Sequence, residues 1–106
     1  EPVQSRDEQG LIKVDVEGHE AALVTAGRAS IRAQRPTFLM EILPGSDVEP
    51  LLEVFGGQGY FYYLITEDRL REAARLRGEE RYRDWLITTL PAERLTALGI
   101  QVDPLA

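Results

Sequence analysis

Hydrophobic and polar positions along the chain follow two different periods, and the changes between them predict its strands and helices. β-branched residues at alternate positions predict a strand over residues 11–16. Apolar residues at about helical spacing then predict a helix over 19–34. A nearly continuous apolar run predicts a second strand over 37–43, buried on both faces. Between these two elements, Pro36 restricts Arg35, which we expect to be extended.

The second half of the chain continues the alternation. Asp47 is a suitable N-cap for a helix over 48–56. Aromatic and β-branched residues predict a third strand over 60–66, and a fourth follows over 85–90. The charged, arginine-rich segment 67–83 between them is predicted to be a short helix or a lid-like excursion.

The two ends of the chain complete this outline. Residues 1–10 are polar and are predicted to be a lead-in to an α/β core over 11–91. Pro91 opens a last short helix over 92–98, within a C-terminal helix and tail over 92–106. Because strands and helices alternate, the pattern predicts an α/β sheet with right-handed crossovers.

Composition and charge narrow the class of protein. The 106 residues suit one small domain or part of a larger one. Twelve basic against eighteen acidic residues give a net charge of -6, which argues against nucleic acid as a partner. The absence of cysteine excludes disulfides, thiolate nucleophiles and zinc–cysteine sites. No apolar run approaches the ~18–20 residues of a membrane span, and no signal peptide is visible. We therefore expect a soluble, cytoplasmic protein without a membrane partner.

Acidic residues cluster where the first two predicted strands end. Lys13, Asp15 and Glu17 share one face of the first strand, and Gly18 then allows a sharp turn close to a ligand. Ligands bind outside the carboxyl ends of strands in open α/β sheets. Glu41 lies near the end of the second strand, so it joins the same crevice if the two strands are neighbours. Three carboxylates there could bind a divalent metal, hold a ligand ammonium or hydroxyl group, or act as a general base.

Each of these residues also has a plainer interpretation. Lys13 and Asp15 can pair with each other, and Glu17 can begin the following helix at its positive end. Glu41 can be an ordinary acid at a strand end. The single histidine, His19, is either a catalytic base or an exposed residue of the first helical turn.

The segment L-I-K-V-D-V-E-G-H-E-A-A-L-V-T-A-G, followed by R-P-T-F-L-M-E-I, is similar to the pattern of FkbM-type methyltransferases. The matching positions are Lys13, Asp15, Glu17, Gly18, Glu20, Leu23, Gly27, Arg35, Pro36 and Glu41. The Gly-Tyr pair before the third strand and the Leu-Pro end of the fourth also resemble the family. The specific part of the match covers about 30 residues, and a looser match continues to about Leu90.

The resemblance implies the C-terminal half of a class I, Rossmann-like methyltransferase sheet, strands four to seven, with the last strand inserted antiparallel. It implies S-adenosylmethionine as cofactor and O-methylation of a hydroxyl group on a sugar, polyketide or similar small molecule. By this resemblance the catalytic candidates are Asp15, Glu17 and Glu41. Asp15 and Gly18 are the candidates for cofactor binding, and Glu17 and His19 for substrate binding. The resemblance supplies no metal ligands.

One departure from the family pattern changes the expected activity. The family binds its cofactor mainly through a Gly-rich loop after the first strand and an acid that ends the second, and neither occurs in this sequence. We therefore expect a partial domain with little methyltransferase activity alone. An alternative is a non-catalytic module that pairs, as a homodimer for example, through an exposed edge strand over 11–16. A third is a metal-binding α/β module that uses Asp15, Glu17 and Glu41.

Overall fold

A computed structural model describes residues 4–6, 11–14 and 33–105 of the chain. The strands are β1 (Gln4–Arg6), β2 (Leu11–Val14), β3 (Thr37–Glu41), β4 (Phe61–Ile65), β5 (Leu70–Ala73), β6 (Asp84–Thr88) and β7 (Val102–Pro104). The helices bounded within the described residues are α1 (Glu49–Phe55) and α2 (Ala92–Ala97). Over 33–105 these elements form a small α/β domain, a mixed open sheet of five strands with two short helices, and β1 and β2 extend that sheet to seven strands.

The strands lie in the order β1-β2-β3-β6-β4-β5-β7. β2 runs parallel to β3, and β5 runs parallel to β7. The remaining neighbours are antiparallel, including β6 against both β3 and β4. Consequently β6, which follows β4 and β5 in the sequence, is inserted between β3 and β4. Its residue Trp85 pairs with Met40 on one side and Leu64 on the other.

Strand alternation gives the sheet two faces with separate cores. On the first, the α1 face, β3, β4 and β6 pack against the buried residues of the helix. The buried core residues there are Phe38, Met40, Ile42, Val48, Leu51, Val54, Phe55, Tyr62, Leu64, Leu76, Trp85 and Ile87. On the second, the α2 face, Leu95 of the helix clusters with Tyr63 and Leu70. Because both faces carry apolar residues, the central strands have the nearly continuous apolar sequences from which they were predicted.

Helix α1 begins close to the predicted position, with a shifted cap. Val48 is the N-cap residue and makes no capping bond with its side chain. The carboxylate of Asp47, one position earlier, accepts a hydrogen bond from the Glu49 amide at 3.1 Å. Pro50 lies in the first turn, where its missing N–H costs no helical hydrogen bond. The predictions of a helix over 48–56 and of another over 92–98 are confirmed with slightly shorter bounds.

The predicted helix or lid over 67–83 is wrong in its first part. Thr66 and Arg69 close a tight turn by backbone hydrogen bonding, and β5 then pairs antiparallel with β4. Leu70 at the start of β5 is buried on the α2 face. This burial favours a strand, although the charged residues of the segment are also compatible with a helix. The remaining residues, 74–83, contain no helix or strand, and we refer to them as the strap.

Four further predictions differ from the structure. The lead-in contains β1, and the C-terminal tail contains β7. Arg35 is left-handed, with φ of 47°, instead of extended, because the helical residues 33–34 end there and helices commonly end on a left-handed residue. The edge of the predicted first strand is not exposed over Leu11–Val14, because β1 pairs with it. A homodimer stays a prediction, but this edge no longer supports it.

The described helices include none that is long and apolar enough to cross a membrane.

Candidate functional site

The carboxyl ends of β2 and β3 meet at one edge of the sheet. The two strands are parallel neighbours, and Val14, the last residue of β2, pairs with Met40, the residue before Glu41. The three predicted carboxylates can share one crevice only if their strands are adjacent. This adjacency is confirmed. The other assignments fall on four residues beyond Val14, namely Asp15, Glu17, Gly18 and His19. These residues lie outside the described part of the chain, and their roles stay predictions.

Glu41 is the last residue of β3 and is half-buried. It alternates with the buried Met40, so it lies on the α2 face of the sheet. Antiparallel pairing puts Asp84, the exposed first residue of β6, directly opposite Glu41. This register brings two acidic residues together at this edge of the sheet. The pair lies at the carboxyl end of β3, and open α/β sheets bind ligands outside the carboxyl ends of their strands.

Sequence reasoning missed Asp84 because the fourth strand was predicted to begin one residue later, at Trp85. The residue before an apolar run is a weak signal by itself. Only the register between β3 and β6, which are distant in the chain, brings Asp84 to Glu41.

The strap borders this edge of the sheet. The amide of Ile42, directly after Glu41, donates a hydrogen bond of 2.8 Å to the Arg83 carbonyl oxygen. Gly78 packs against the turn that follows β3, where an added Cβ would lie 2.7 Å from the carbonyl oxygen of Leu43 and 2.8 Å from Cα of Pro44. The site at Glu41 is therefore bounded on one side by residues that the sequence places more than thirty positions away.

Two tyrosines, one in β4 and one directly before it, donate hydrogen bonds to backbone carbonyl oxygens and are not bases at neutral pH. The Tyr63 hydroxyl donates to the Leu90 carbonyl oxygen at 2.8 Å, and the Tyr60 hydroxyl donates to the Pro36 carbonyl oxygen at 2.5 Å. Burial raises the pKa of each to about 12, and the nearby positive charge of Arg35 acts against this rise at Tyr60. Both hydroxyls therefore stay protonated and act as donors.

The described residues do not by themselves fit S-adenosylmethionine. The cofactor's pocket would need a Gly-rich turn between a strand and a helix, and the described strand-to-helix connections contain a single glycine, Gly45 after β3. The two residues predicted to bind the cofactor, Asp15 and Gly18, are outside the described part of the chain. Within that part, no group of three or more His, Asp or Glu side chains is arranged to hold a metal ion.

Comparisons of the chain with models of protein families, with curated proteins and with solved structures found no match.

Proposed function

We propose that this chain is the C-terminal portion of an S-adenosylmethionine-dependent O-methyltransferase that acts on a hydroxyl group of a sugar or other small molecule. The observation that carries the proposal is the position of β6. This strand follows β4 in the sequence, yet it lies between β3 and β4 and runs antiparallel to both.

The sheet supports this proposal in detail. If β2, β3, β4 and β6 correspond to strands four, five, six and seven, then the last strand is inserted antiparallel beside the fifth, as the resemblance implies. On this assignment, β5 and the strap are an insertion between strands six and seven. The motif residues that carry the resemblance fall on β2, on β3 and on the chain between them. The sequence motif and the order of β2, β3, β6 and β4 both support the proposal.

Glu41 has a position suited to the proton transfer that this reaction requires. An acceptor hydroxyl is a poor nucleophile until a base removes its proton, and a carboxylate within hydrogen-bond reach can do so. In that step the O–H bond would break, the Glu41 carboxylate would accept the proton, and the electron pair would remain on the acceptor oxygen. Asp15 and Glu17 are the alternative bases. Orientation of the hydroxyl by the remaining carboxylates would contribute to the rate as well.

The decisive experiment measures methyl transfer from radiolabelled S-adenosylmethionine to a panel of sugars and polyketides by the product of the whole reading frame. A Glu41→Gln variant is expected to lose about 10²–10⁴-fold in turnover if this carboxylate is the base. Glu53→Gln removes an exposed carboxylate on α1 and serves as the matched control, with unchanged turnover.

Two results separate the parts of the proposal. If Glu41→Gln keeps full turnover, the role of Glu41 is wrong and the reaction class stands. If the whole product transfers no methyl group and does not bind S-adenosylmethionine in calorimetry, the class itself is wrong. Calorimetry on the 106-residue chain should show no binding in the low micromolar range, and such binding would contradict the expectation that the cofactor site is incomplete here.

A further inference from the structure

β1 covers the outer edge of β2, at the end of the sheet. We propose that β1 protects this edge and is replaced there by a parallel strand, strand one of the cofactor-binding half of the same methyltransferase domain. The inference rests on the proposed function, which identifies β2 as strand four and β3 as strand five.

The strand order of doubly wound sheets determines which strand belongs at this edge. In the order 3-2-1-4-5-6, strand four lies beside strand one, the two run parallel, and ligands bind in the crevice where the order reverses. β3 lies on the inner side of β2 and runs parallel to it. The outer side of β2 is therefore the position of strand one, the strand that the Gly-rich cofactor loop follows.

β1 cannot act as strand one, because it runs in the opposite direction. Its first residue, Gln4, pairs with Val14 at the carboxyl end of β2, and its last residue, Arg6, pairs with Ile12. The carboxyl ends of β1 and β2 therefore lie at opposite edges of the sheet, whereas the ligand crevice needs the carboxyl ends of two parallel strands at one edge. While β1 is paired with β2, strand one cannot pair there and the crevice cannot form.

Replacement of β1 by strand one would preserve the pairing in the rest of the sheet. β1 is the terminal strand and pairs with β2 alone, whereas β2 keeps β3 on its other side. None of the residues of β1, Gln-Ser-Arg, is β-branched or aromatic, the types that are enriched in strands. β1 also pairs with only residues 12–14 of β2, so a longer strand would form at least as many backbone hydrogen bonds. Before this replacement, β1 prevents the edge of β2 from pairing with another chain.

A disulfide between introduced cysteines reports whether β1 is paired with β2, since the chain has no cysteine of its own. Ser5 lies directly opposite Lys13. Cα atoms of such residues are about 4.5–5.5 Å apart, which a disulfide can span. We expect Ser5→Cys/Lys13→Cys to form the disulfide in the 106-residue chain.

The matched control places the second cysteine one strand further away. Leu39 of β3 pairs with Lys13, so Ser5 and Leu39 lie two strands, or about 9–10 Å, apart. A disulfide cannot span that distance, and Ser5→Cys/Leu39→Cys should remain reduced under the same oxidising conditions. If Ser5→Cys/Lys13→Cys also remains reduced, β1 is not paired with β2 in solution and the proposal is overturned.

The same variants in the product of the whole reading frame test the replacement itself. We expect Ser5→Cys/Lys13→Cys to lose the disulfide there, as measured by mass spectrometry of peptides under non-reducing conditions, because strand one has taken the place of β1. An equal yield of this disulfide in the whole product and in the 106-residue chain would overturn the proposal.

Calorimetry with S-adenosylmethionine on the same whole product separates this proposal from the proposed function. If the disulfide forms and the cofactor still binds, β1 stays beside β2 and only the present proposal fails. If the disulfide is lost and no cofactor binds, the replacement of β1 is supported and the proposed reaction class fails.

Discussion

Replacement of Tyr63 by phenylalanine should change the pH dependence of stability in a way that the structure lets us calculate. Tyr63 is fully buried in the sheet, and its hydroxyl donates a 2.8 Å hydrogen bond to the Leu90 carbonyl oxygen. This bond holds the end of β6 where the chain turns into α2. At pH 8 the variant loses the bond and leaves the carbonyl oxygen of Leu90 without its donor, which is expected to lower the free energy of unfolding by about 1 kcal/mol.

At alkaline pH the same hydroxyl lowers the free energy of unfolding of the wild type. Burial, and then the negative charges of Glu72 and Glu93, raise the pKa of Tyr63 to about 12 in the folded protein. In the unfolded chain its pKa is near 10. As the pH rises above 10, the unfolded chain releases the proton first, so the wild type loses stability between pH 10 and pH 12. At pH 11 this loss is at most about 1.4 kcal/mol. The phenylalanine side chain cannot ionise, so the Tyr63→Phe variant is spared this loss.

Urea denaturation followed by far-ultraviolet circular dichroism at pH 8 and pH 11 measures both effects. The wild type should be more stable than Tyr63→Phe at pH 8, and the two should converge near pH 11. A matched variant, Tyr60→Phe, should follow the same course, since burial also raises the pKa of Tyr60 to about 12. A stability difference between Tyr63→Phe and the wild type that stays constant from pH 8 to pH 11 would refute the reasoning.

Two further substitutions test local features of the fold. Arg35→Gly should raise the free energy of unfolding, measured in urea, by about 1 kcal/mol, because glycine adopts the left-handed conformation without strain. Arg94→Gly, within α2, should lower it by about as much. A lower free energy of unfolding for Arg35→Gly would contradict the proposed strain at this position. Thr88→Val should cost about 1–3 kcal/mol, because the buried hydroxyl contacts Thr37 Oγ1 at 2.8 Å and accepts from the Leu90 amide at 3.3 Å. Adding Thr37→Val should recover part of that loss, and strictly additive losses would show that the two hydroxyls are not coupled.

The sequence by itself determined the central elements of this protein. The runs that became β3, β4 and β6 are apolar over consecutive residues, and the two helices begin at recognisable proline or aspartate signals. These signals are local, since a buried strand must be apolar wherever its neighbours come from. The sequence also pointed to Glu41 as a site residue, because an acid at the end of an apolar strand stands out from the pattern. The methyltransferase assignment came from the sequence motif and remains a proposal.

Tertiary structure alone decided the features that depend on pairing across the chain. The short strands β1, β5 and β7 have mixed polar sequences, and backbone hydrogen bonds to β2, β4 and β5 respectively make them strands. The same holds for Arg35, whose conformation is set by the helix end before it, and for Asp84, which meets Glu41 only through the register of β6. Insertion of β6 between β3 and β4 has no local signature either. The spacing of hydrophobic residues indicates which residues are buried. Strand order and register depend instead on which strands pair with each other, and local sequence patterns do not specify that pairing.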